Sequence, residues 1–172
     1  MYYRTRTYIA GDWTGDSNLI EQLSKWNDSN YWSLSFSDAH KLTQARDSSL
    51  PCSIKRSLAE RLDASKTFML IVGKNTNSLT KGGCQYCHNY SSYFSRCNHN
   101  MTVDYRSFIQ YECEKAVKDN LKIVVLYNYA SVDRSKCPEV LRYRGTHIPT
   151  YYYAADGKCY WDYQAIKDAI EQ

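Results

Sequence analysis

Two runs, KTFMLIVG at 66–73 and LKIVVLYNY at 121–129, are the most continuously apolar stretches of the chain. Runs this short and this uniform suit strands buried on both faces, the situation of a parallel sheet with helices above and below it. Each is preceded by an apolar ladder at helical spacing: Ile54, Leu58 and Leu62 before the first, and Ile109, Cys113, Ala116 and Val117 before the second. The same alternation runs through the rest of the chain. Thr5 to Ala10 alternates polar and apolar residues and stops at Gly11, which reads as a strand ending in a tight loop. Asp16 or Ser17 then caps a helix with Leu19, Ile20, Leu23 and Trp26 on one face, and aromatic-rich Tyr31–Phe36 reads as the second strand. Ser53 is the expected cap of the second helix, and Tyr105–Asn120 the expected span of the third. Thr150–Ala154 reads as a last strand, followed by a turn at Asp156 and Gly157 and a helix from Asp162 with Ile166, Ala169 and Ile170 inward.

Strands separated by helices require right-handed crossovers, so the pattern predicts an α/β fold: one flavodoxin-like, doubly wound domain over residues 1–172. Its five parallel strands are expected near 4–10, 31–36, 66–73, 121–129 and 150–154. Such sheets bind ligands at the carboxyl ends of their strands, so the loop at 11–16, the loop at 37–51 and the start of the third helix should converge. Residues 77–104 break the pattern. They are rich in Gly, Asn, Ser and Cys, have no clear period, and form an irregular insertion too long to be a plain connection.

Leu, Ile, Val and Phe are scarce, but 17 Tyr and 4 Trp supply the missing apolar area, so a folded, aromatic-rich domain is expected. No apolar run is long enough to span a bilayer and the N-terminus carries no signal-like apolar segment, which reads as a soluble, cytoplasmic chain. The net charge of +4 comes from Lys and Arg scattered among acids, which argues against nucleic acid as a partner.

Three constellations bear on chemistry. Glu112 lies four residues from Phe108, on a strip flanking the core positions Ile109 and Cys113, while Glu114 lies about 200° further around the same helix. Only one of these acids can face a pocket beside that strip; the alternative is that both are solvated. Asp38 and His40 sit in the loop after the expected second strand, where Asp also serves as a turn former and His as an ordinary surface residue. Cys84, Cys87, Cys97 and His99 fall in the insertion as C-x2-C-x9-C-x-H, a ligand set for one structural zinc, with free thiols or a disulfide as the other readings. Phosphate-loop, dinucleotide-fingerprint and hydrolase-elbow motifs are all missing.

SFIQYE at 107–112 resembles the helix motif of TIR-type NAD-consuming domains, with Phe108 where those domains carry Trp. YIAGDW at 8–13 is similar to their first strand, with Ala10 and Gly11 where Ser and a further polar residue are common. SFSDAH at 35–40 and RLDASKTFMLIVGKNT at 61–76 are similar to the TIR-like branch found in Thoeris antiphage systems. The resemblance covers nearly the whole chain in order, apart from the insertion. It implies cleavage of the bond between nicotinamide and ribose in NAD as substrate, and in some members cyclisation to an isomer of cyclic ADP-ribose that signals to a separate effector protein. It also implies Glu112 as the catalytic acid and self-association through TIR-like contacts. Tyr8, Gly11, Asp12, Trp13 and Phe108 are then substrate-binding candidates, the rings of Tyr8, Trp13 and Phe108 stacking on nicotinamide or adenine unless they are simply core. Asp38 and His40 would belong to a loop that gates the pocket. A catalytically silent scaffold for self-association or partner docking is the alternative.

Overall fold

The computed structural model describes residues 6–32, 34, 36, 50–99 and 102–172. Four strands form a wholly parallel sheet in the order β1 (Arg6–Ala10), β2 (Ser65–Val72), β5 (Lys122–Tyr127) and β6 (Thr146–Pro149). Helices α1 (Ser17–Asn27) and α4 (Tyr163–Glu171) cover one face; α2 (Pro51–Asp63) and α3 (Phe108–Lys118) cover the other.

Strand periodicity makes the two layers. Tyr8, Ala10, Phe68, Leu70, Val72, Ile123, Val125 and Tyr127 point toward Ile54, Leu58 and Leu62 of α2 and Ile109, Cys113 and Ala116 of α3. Ile9, Met69, Ile71, Val124 and Leu126 point the opposite way, onto Leu19, Ile20, Leu23 and Trp26 of α1 and Ile166 and Ala169 of α4. The two central strands are buried on both faces, as their continuous apolar runs require. Among the described residues, no helix is long and apolar enough to cross a membrane.

Among the described residues this sheet has four strands where five were expected. At the expected second strand, Tyr31 and Trp32 lie in a turn, and neither Leu34 nor Phe36 belongs to a strand. The backbone N–H of Leu34 goes to the carbonyl of Trp26 (3.4 Å) and that of Phe36 to Asn27 Oδ1 (2.7 Å), so the chain folds back on the end of α1. The expected last strand is also displaced. Thr146–Pro149 is the edge of the sheet, and buried Thr150 turns the corner, its N–H and hydroxyl both donating to the carbonyl of Tyr127. The chain then enters an antiparallel ribbon, β7 (Tyr151–Tyr153) with β8 (Cys159–Trp161), around the expected turn at Asp156 and Gly157. Tyr152 and Tyr153 are exposed there, which a central parallel strand would not allow.

The cap of α2 differs as well: Leu50 occupies the cap position and Pro51 opens the helix, where its fixed φ and missing N–H cost nothing. The described residues of the insertion have little regular structure, holding a ribbon of two-residue strands, β3 (Tyr90–Ser91) and β4 (Arg96–Cys97). All seven cysteines are free thiols. Among the described residues no three His, Cys, Asp or Glu side chains are grouped so as to hold a metal ion, and Cys84, Cys87, Cys97 and His99 are no exception. Hydrogen bonds hold the ends of the segment instead. Cys84 N–H donates to the carbonyl of Asp104 (2.9 Å), and buried Lys55 of α2 donates to the carbonyls of Asp104 (3.3 Å) and Arg106 (2.7 Å).

Candidate functional site

Helix α3 starts at a fixed point. Ser107 Oγ accepts from the N–H of Gln110 (3.2 Å) and Gln110 Oε1 accepts from the N–H of Ser107 (3.0 Å), a reciprocal capping box that satisfies two otherwise orphaned donors. Helical spacing from this start decides where the two acids go. Glu114 is exposed and pairs with Arg106 at 2.6 Å. Glu112 turns toward β1 and is only 4% exposed, and its Oε1 accepts a hydrogen bond from the hydroxyl of Tyr8. Tyr8 is fully buried and stacks on Phe68 with ring centroids 5.8 Å apart, so it orients the acid from within the core and does not offer its ring to a ligand.

Glu112 forms part of a cavity of about 240 Å³ at the carboxyl end of β1. Gly11, Asp12, Trp13 and Thr14 come to it from the loop after β1, Ile54 and Leu58 from α2, Leu79 and Lys81 from the insertion, and Phe108 and Ile109 from α3. This is the position expected of a ligand site in an open α/β sheet. The volume lies below the roughly 300–1,000 Å³ of a complete small-molecule site.

The two carboxylates of the cavity are driven apart. Burial raises the Glu112 carboxyl to about 7, even though the Tyr8 hydrogen bond and the charge of Arg61 favour its ionised form. Burial also pushes Asp12 upward, but there the N–H of Gly15, the side chain of Asn75 and the N–H of Thr14 outweigh it, and the carboxyl is held below its ordinary value. One acid is therefore ionised throughout the neutral range while the other changes charge within it, the pattern by which paired carboxylates take different roles.

Of the residues expected from the sequence, Gly11, Asp12, Trp13, Phe108 and Glu112 line one cavity, and Tyr8 reaches it through Glu112. Asp38 and His40 lie outside the described residues. Thr14 comes with the loop at 11–16 that was expected to converge there, whereas Ile54, Leu58, Leu79, Lys81 and the core position Ile109 were not expected to line it. Ile54 and Leu58 were legible as core, and their reach into a cavity depends on how α2 meets α3; nothing in the aperiodic insertion marks Leu79 or Lys81. A second cavity, of about 420 Å³, lies across Leu79 and Ile109. Its acids, Glu114 and Glu139, are exposed, so it lacks the buried carboxylate that sets the smaller cavity apart.

No curated protein matches the chain. Residues 8–81 match the family model described as Thoeris protein ThsB, TIR-like domain. The matched stretch supplies Tyr8, the loop at 11–14, α2, Leu79 and Lys81; Phe108 and Glu112 reach the same cavity from beyond it. Over residues 8–81, somewhat under half of its length, the chain is similar to the TIR-like domain of Thoeris protein ThsB.

Proposed function

We propose that this domain cleaves the nicotinamide–ribose bond of NAD, and that the ADP-ribosyl product closes into a cyclic ADP-ribose-type signal read by a separate effector. A Thoeris TIR-like domain has its role in antiphage defence, and a diffusible nucleotide fits such a role. The observation that carries the chemistry is the buried Glu112 carboxylate, fixed by the Tyr8 hydroxyl inside a cavity at the carboxyl end of β1.

When the C–N bond breaks, its electron pair leaves with nicotinamide, which departs neutral, and the ribose is left as an oxocarbenium-like cation. A fixed anion beside the anomeric carbon lowers the energy of that cation more than it lowers the ground state. Ionised Glu112 is that anion, and Asp12, ionised at neutral pH, suits the ribose hydroxyls. Trp13 and Phe108 offer ring surface to the departing base. Attack by an adenine nitrogen of the same molecule gives the cyclic isomer; attack by water gives linear ADP-ribose, with one proton released. Self-association through TIR-like contacts would complete the active assembly.

The test is to incubate the assembled protein with NAD and separate the products. Nicotinamide should appear in equal amount with a cyclic ADP-ribose-type product, one water lighter than ADP-ribose and carrying no free reducing ribose. Linear ADP-ribose would remove the cyclisation step, and no nicotinamide under any assembly condition would leave a scaffold.

A further inference from the structure

The insertion walls the cavity with a cation. Among the described residues lining the Glu112 cavity, Lys81 is the one that carries a positive charge, and Asp12 and Glu112 supply the negative ones. The backbone at Lys81 is held firmly: its carbonyl accepts from the N–H of Phe108 (2.9 Å), the first residue of α3. Gly82 follows with φ of +109°, and a β-carbon there would come within 2.6 Å of the Phe108 ring, so the chain passes this point only as glycine. On the return side, Asp104 accepts from Cys84 N–H and is paired with buried Lys55 at 3.3 Å. Both ends of the insertion are thus fixed against the α2 and α3 layer, while the Lys81 side chain itself is exposed at the rim.

An ammonium on a fixed backbone, at the mouth of an otherwise acidic cavity, is suited to a phosphate group that those acids would repel. We propose that Lys81 binds the diphosphate of the dinucleotide and so selects NAD over substrates that carry the same nicotinamide riboside without phosphate. This rests on the reading of the Glu112 cavity as the NAD site, and it gives the insertion a part in substrate choice.

Wild type and Lys81→Ala are compared in two assays. In steady state, the variant should raise KM for NAD at least ~10-fold with kcat within a few-fold, as expected for the loss of one charge-assisted hydrogen bond. Turnover of nicotinamide riboside should not change, and Lys81→Arg should recover most of the KM for NAD. In calorimetry, ADP should bind wild type and bind Lys81→Ala at least ~10-fold more weakly. Equal KM for NAD, equal losses on both substrates, equal ADP affinity in the two proteins, or no ADP binding to wild type would each overturn the assignment. Wild type that binds ADP through Lys81 yet releases no nicotinamide would overturn the NAD-cleavage reading and leave the diphosphate site standing.

Discussion

Glu112 and Tyr8 form a pair whose coupling is measurable. Glu112 is proposed to act as a carboxylate, and burial has raised it to about 7, so it is protonated below that value and charged above it. Nicotinamide release, followed as kcat/KM, should therefore rise with pH through about 7 and fall away on the acid side. Tyr8→Phe removes the donor that favours the charged form, so the midpoint should move to higher pH. A flat profile between pH 6 and 8, or a midpoint that moves down in Tyr8→Phe, would contradict this assignment. Helical spacing alone separates the two acids, because Ile109 and Cys113 mark the core side and Glu114 falls on another face. The hydroxyl that orients Glu112 sits 104 residues away in sequence, and no local pattern announces it.

Where elements meet, close fit replaces side-chain chemistry. Asp16 stands at the cap position of α1 but makes no capping bond; its Oδ1 accepts from Asn128 Nδ2 (2.8 Å), tying the start of α1 to the end of β5. Gly73 follows β2 directly beneath that carboxylate, and a β-carbon there would lie 2.0 Å from Asp16 Oδ1. Gly73→Ala should cost about 1–3 kcal/mol, as overpacking of a buried contact does, and a denaturant titration against wild type reads it. An unchanged midpoint would show that this junction yields freely. The strongly periodic elements were readable because one physical demand, burial of a face, shaped each of them. The stretch at 31–36 was not. Its aromatic residues fit a strand on propensity, yet Leu34 is buried and Trp32 packs between Trp26 and Tyr163, beside the end of α1. TYYYA misleads for a related reason: its tyrosines suit an exposed ribbon as well as a buried strand, and the true sheet edge ends in Pro149, which sequence reasoning places outside strands.

At the scale of the whole molecule, the parallel order brings residues 8–14, α2, the insertion and α3 to one end of the sheet, and it is there that a buried acid, an ionised acid and a cation share a cavity. The crossover pattern made that convergence legible from the sequence, together with five of the cavity residues. The wall built by the insertion was not, because its position depends on backbone bonds to α3 and on the passage at Gly82. The central claim is that the Glu112 carboxylate stabilises the ribosyl cation. It is tested most directly by the rate of nicotinamide release from NAD at pH 8 in assembled wild type, Glu112→Gln and Glu114→Gln. Glu112→Gln keeps the size and hydrogen bonding of the side chain and removes its charge, so its rate should fall at least ~100-fold, on the order of 3 kcal/mol of transition-state stabilisation. Glu114→Gln, on the exposed face of the same helix, should stay within a few-fold of wild type. Release by Glu112→Gln at the wild-type rate would contradict the account.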